Sequence, residues 1–153
     1  RLADTLASQG YTTCGTVQIN TDRANGPCDM DVQVLPDGPV LRISQDLGLG
    51  SKGCRLDPAA LETAVGLAEA RLDPIVDLLI INKFGKHEAD GRGFRTIIAT
   101  ALELEIPVLV GVNALNLAAF KEFAGPDAVH LVPSDEPILE WLAMALQPEQ
   151  DVA

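Results

Sequence analysis

The run Ile75-Val76-Asp77-Leu78-Leu79-Ile80-Ile81 is the most apolar stretch of the chain. It breaks directly into Asn82-Lys83-Phe84-Gly85-Lys86-His87-Glu88-Ala89-Asp90-Gly91-Arg92-Gly93. A strand apolar at nearly every position is buried on both faces, the environment of a central parallel strand. Parallel neighbours need crossover connections that are usually helical, so this run predicts an α/β chain.

The flanking segments fit that frame. Tyr11–Ile19 reads as a β-branched buried strand, and Pro107–Val112 as another. Met30–Leu35 and Val40–Ser44, around Pro36-Asp37-Gly38-Pro39, read as a hairpin. Val129–Val132 reads as a last short strand. Leu2–Ala7 reads as a helix stopped by Gly10. Asp57-Pro58 opens the next helix with a capping carboxylate and a proline at the first helical position. Its stripe is Leu61, Ala64, Val65, Ala68 and Leu72, and Pro74 stops it. Phe94, Ile97, Ile98, Ala101 and Leu102 mark a helix. Asn113 caps one carrying Leu117 and Phe120. Ser134 caps a final one, with Ile138, Trp141, Leu142 and Ala145 toward the core. The pattern predicts one α/β domain over residues 1–147, a three-layer, mostly parallel sheet with one inserted β-hairpin, and a frayed tail at 148–153. A helix so near Arg1 normally follows a strand, which is expected to lie ahead of this sequence.

At 153 residues the chain suits a single domain. No apolar run approaches the roughly 18–20 residues of a membrane span, and no signal sequence opens it. Cys14, Cys28 and Cys54 are odd in number and form no CxxC pair, which fits a reducing compartment and a cytoplasmic protein. Each reads first as a small buried hydrophobe. A formal charge of −11 argues against nucleic acid as a partner.

The distribution of charge is more telling than its sum. Arg42, Lys52, Arg55, Lys83, Lys86, Arg92 and Arg95 are seven of the eleven basic residues. All seven fall in the segments 42–55 and 83–95, beside only Asp46, Glu88 and Asp90. Each segment follows a predicted strand and precedes a predicted helix, so both belong at the carboxyl edge of the sheet, where ligands of open α/β folds sit. That placement favours an anion site over two solvated loops. Arg42, Lys52, Arg55, Lys83, Lys86 and Arg92 would supply charge, with Ser44 and Asn82 as polar contacts. Gly50, Gly53 and Gly85 would let the backbone approach.

Gly48-Leu49-Gly50-Ser51-Lys52-Gly53 matches G-x-G-x-x-G, but its helix is signalled only at Asp57, and Gly-Lys-Ser/Thr never occurs. Glu88 is the candidate general base or metal carboxylate. Its alternative is a carboxylate at the helix start pairing Lys86 or Arg92. Arg92 and Arg95 are spaced to share a helix face. His87 has no second histidine nearby, so it makes no metal site. Asp29 and Asp31 alternate along a strand and can hold Mg²⁺, or form a solvated strand face.

On four blocks the chain resembles a bacterial family of unknown function. These are Cys28-Asp29-Met30-Asp31, Arg42-Ile43-Ser44-Gln45-Asp46, Gly53-Cys54-Arg55-Leu56-Asp57 and Asn82 through Gly93. The resemblance covers nearly the whole chain. It implies a gene neighbourhood of molybdate transport and a distant likeness to a nucleoside-triphosphatase family of the P-loop α/β fold. In that relative a phosphate-binding loop follows the first strand, and an acidic residue ends the central one to manage Mg²⁺ and water. Here Asn82-Lys83 stands in the acidic position.

Three functions follow as expectations. The first is a cytosolic module binding a small anion: molybdate, tungstate, phosphate or a nucleotide. The second is a Mg²⁺-dependent nucleotide phosphohydrolase or phosphotransferase, with Glu88 as base and Asp29 or Asp31 on the metal. The third is a regulatory protein docking a partner through its loops. None involves a membrane, and all leave room for a homo-oligomer.

Overall fold

A computed structural model describes residues 2–21, 29–45, 55–126 and 128–146, the side chains of Asn20, Thr21, Asp29, Gln45, Arg55 and His87 excepted. Helix α1 (Leu2–Ser8) leads into strand β1 (Thr13–Thr21). Strand β2 (Asp29–Val34) returns antiparallel to β1, with Thr21 opposite Asp29 and Thr16 opposite Val34. Strand β3 (Val40–Arg42) folds back on β2, with Asp31 opposite Arg42, so the expected hairpin is present. Beyond it, β4 (Ser44–Gln45) and β5 (Arg55–Leu56) form a separate two-stranded ribbon.

Helix α2 (Pro58–Arg71) starts as its sequence dictates. The Asp57 carboxylate accepts the N–H groups of Ala59 and Ala60 at 3.0 and 3.4 Å, satisfying donors that a helix start leaves unpaired. Leu61, Ala64, Val65 and Ala68 are its buried stripe. Strand β6 (Leu78–Phe84) lies parallel to β1. A one-turn helix α3 (Lys86–Ala89) interrupts the segment expected to be loop, and helix α4 (Arg95–Glu103) follows. Strand β7 (Val108–Val112) is parallel to β6. A 3₁₀ turn, Ala114–Asn116, capped by Asn113, leads into helices α5 (Leu117–Ala124) and α6 (Asp135–Ala145).

The sheet order is β3-β2-β1-β6-β7. Its core, β1-β6-β7, is parallel and the hairpin side antiparallel, so the sheet is mixed. Helices cover both faces. Cys14, Val32, Leu79 and Ile81 pack against α2 and α4 on one side. Leu78 and Ile80 pack against Leu6 and Leu142 on the other. Leu78 and Leu79 have no exposed surface, as an apolar central strand requires. Cys14 is equally buried and donates its thiol to the Ala68 carbonyl, and burial pushes its pKa up, so it behaves as a core hydrophobe. Cys28 and Cys54 lie outside the described residues.

Two expectations fail at the C-terminal end. Residues 128–132 form no strand, and Val129 and Val132 are each 66% exposed. Pro133 follows directly and, lacking an N–H, would end any ladder there. Ser134 does take the α6 N-cap position, with no side-chain cap bond, but Ala145 faces outward instead of toward the core. Among the described residues no helix is long and apolar enough to cross a membrane.

Candidate functional site

The end of β6 departs from regular pairing. Ile81 opposes Val110 and Phe84 opposes Val112, so three steps on β6 match two on β7. The extra residue is a β-bulge at Asn82-Lys83, which re-aims side chains and ends the regular ladder. Asn82 and Lys83 are consequently both exposed, whereas Phe84 is fully buried. Gly111 makes room for this on β7: a Cβ there would collide with the Asn82 carbonyl oxygen. Phe84 anchors the bulge beneath, edge-on to Phe120 at 5.4 Å and stacked on Phe123 at 5.8 Å. The Arg95 guanidinium lies 4.8 Å over the Phe123 ring.

The segment after the bulge is held by carboxylates. Glu88 is 3% exposed; its Oε1 accepts the Gly85 N–H at 2.9 Å and its Oε2 the Phe94 N–H at 3.3 Å. One side chain thus ties both ends of the Gly85–Phe94 segment together. Glu62 on α2 accepts the Gly93 N–H at 3.1 Å and fastens the segment to the neighbouring helix. Charge-assisted bonds of this kind contribute about 1.5–3 kcal/mol each. A Glu88→Gln amide keeps one acceptor and turns an NH₂ toward a backbone donor. The expected loss is about 2–4 kcal/mol, a fall in Tm of roughly 5–15 °C by calorimetry. An unchanged Tm would show that these bonds do not hold the segment.

Above this segment is a cavity of about 260 Å³ on the α2 face, at the carboxyl ends of β1 and β6. Its polar lining comes from Thr16 and Gln18 on β1 and from Asn82, Lys83, Lys86 and Glu88. Met30, Val32, Ile43, Leu56, Leu61 and Phe94 form the apolar wall. Of the residues expected at the site, the fold brings Asn82, Lys83, Gly85, Lys86 and Glu88 together here. The Gly85 N–H is bonded to Glu88, so this glycine's contribution is space, its nearest contact for an added Cβ being Lys83 Cε at 3.6 Å.

The other expected residues go elsewhere. Met30 and Val32 line the cavity, so Asp31 between them projects from the opposite sheet face. There its carboxylate accepts from Arg42 Nε at 3.0 Å. Arg92 lines an open groove of about 490 Å³ between α2 and α4, with Glu62 and Glu69. Arg95 lies over the Phe123 ring. The Ser44 hydroxyl accepts the Met30 N–H at 3.0 Å, seating the ribbon on β2. Gly50, Lys52 and Gly53 lie outside the described residues, as do the side chains of Asp29, Arg55 and His87. Among the described residues no three His, Cys, Asp or Glu side chains converge to hold a metal ion. Asp31 is matched by Arg42, away from the cavity, and does not fit a metal ligand for it.

Thr16 and Gln18 were not expected here. Their signal is the alternation Cys14, Thr16, Gln18, which carries two polar residues along the strand face that begins on the buried Cys14.

No solved structure matches the chain. Over 141 residues it is 36% identical to the molybdenum import ATP-binding protein ModC 2 of Bradyrhizobium diazoefficiens. That alignment covers 91% of this chain and 16% of the relative, so the chain spans about a sixth of the relative's length. Residues 1–141 match the family described as protein of unknown function (DUF2478), and the chain belongs to that family.

Proposed function

We propose that this chain is a binding module that holds a small oxyanion or phosphate group at the carboxyl edge of its sheet. The Lys83 and Lys86 ammonium groups supply charge, and the Asn82 amide supplies a neutral donor. The observation that carries this reading is the bulge at Asn82-Lys83, which puts two consecutive polar side chains on one cavity together with Lys86. In a chain of net charge −11, cations gathered at a cavity are there against the overall field. The relative's name joins molybdenum import to ATP binding. Molybdate and the phosphates of ATP are both tetrahedral oxyanions, the class that lysine binds as a point charge.

A second reading, a Mg²⁺-dependent phosphohydrolase or phosphotransferase, draws on the ATP-binding relative. It needs Glu88 as base and Asp29 or Asp31 on the metal. The backbone bonds on both Glu88 oxygens and the Arg42 partner on Asp31 favour binding without turnover. The test is a titration with phosphate or molybdate read at the backbone amides. Saturable shifts at the cavity support the binding module, and their absence with both ions contradicts it.

A further inference from the structure

We infer that the cavity takes an organic oxyanion, such as a phosphate monoester with an apolar body, in preference to a bare inorganic ion. This rests on the proposed oxyanion-binding function and concerns what else the ligand carries.

The cavity has two chemistries. Asn82, Lys83 and Lys86 suit a charged group, while the wall of Met30, Val32, Ile43, Leu56, Leu61 and Phe94 suits none. An inorganic oxyanion set against that wall loses water and gains no hydrogen bond in return. Met30 and Leu56 are only partly buried, so apolar surface remains for a ligand to cover. Size points the same way. A water molecule's share of liquid volume is about 30 Å³. A cavity of about 260 Å³ therefore holds far more than the few heavy atoms of a tetrahedral ion. An apolar lining with a few convergent polar groups is the make-up of organic-ligand sites. Gln18, partly buried on the β1 side, adds a carboxamide suited to polar atoms on the ligand's body.

Calorimetric titration of the whole chain with inorganic phosphate, molybdate and phenyl phosphate, at one pH and ionic strength, tests this. Phenyl phosphate is expected to bind at least about tenfold tighter than inorganic phosphate, the gain from covering on the order of 60 Å² of apolar surface. Met30→Gln, and independently Leu56→Gln, should cut that preference at least threefold, by the same area reasoning. Thermal melts establish that each variant is folded.

Equal affinities for phenyl and inorganic phosphate, both lost when Lys83 and Lys86 are neutralised, would overturn the inference and leave the oxyanion function standing. A preference that survives both wall variants would also overturn it, because the apolar wall would not be its source. No binding of any probe, or binding that survives loss of both lysines, would overturn the oxyanion function itself.

Discussion

Replacing Lys83 and Lys86 together with alanine is expected to weaken oxyanion binding by at least about a hundredfold at low ionic strength. Hydrogen bonds to charged groups contribute about 1.5–3 kcal/mol each, and a hundredfold corresponds to about 2.7 kcal/mol. Both side chains are exposed at the cavity, so salt screens part of their effect and the loss should shrink as ionic strength rises. Their exposure also means that the variant should keep its stability within about 0.5 kcal/mol. Arg42→Ala and Arg92→Ala should each change affinity by less than about threefold, as expected of screened, distant surface charges. Arg42 pairs with Asp31 on the other sheet face, and Arg92 lines the α2–α4 groove. Calorimetric titration separates these outcomes. An Arg92→Ala loss as large as that of the lysine pair would move the site to the groove.

The largest effect on stability is expected from Gly15→Ala. Gly15 lies in β1 at φ +108°, where L side chains are strained, and a Cβ there would collide with the Ile80 carbonyl oxygen. That oxygen belongs to the central strand, paired on both sides, and cannot swing away as a flexible side chain would. Backbone strain costs about 1–3 kcal/mol and overpacking about as much again. A fall in Tm of roughly 10 °C or more, or failure to fold, is expected. Gly66→Ala is the control. It lies within α2 with nothing within 4 Å of an added Cβ, and should stabilise by roughly 0.5–1 kcal/mol. Equal melting temperatures for Gly15→Ala and the parent would mean that β1 and β6 do not approach as closely as described.

Parts of this architecture governed by local rules were legible in the sequence. The apolar run at Leu78–Ile81 had to be buried on both faces, and Asp57-Pro58 had to open a helix, because neither depends on distant partners. The hairpin around residues 36–39 was legible for the same reason. What stayed hidden depends on register and on which face a residue occupies. The bulge at Asn82-Lys83 exists through its pairing with β7 and the space that Gly111 leaves there, and no local pattern marks it. Counting charge along the chain grouped Arg42 and Arg92 with the lysines, although strand alternation sends Asp31 and Arg42 to the far face. Glu88 stood out as a carboxylate, but its bonds to Gly85 and Phe94 appear only once the segment closes on itself. Val129–Val132 has strand-like residues, yet propensity without a paired neighbour forms no strand.

The most direct test of the central claim is an NMR titration of the isotope-labelled chain with phosphate, molybdate and phenyl phosphate. The expected result is a saturable set of backbone amide shifts confined to Thr16, Gln18 and residues 82–88, absent when Lys83 and Lys86 are both alanine. Shifts centred instead on Glu62, Glu69 and Arg92, or no saturable shift with any of the three ligands, would contradict an oxyanion site at the carboxyl edge of β1 and β6.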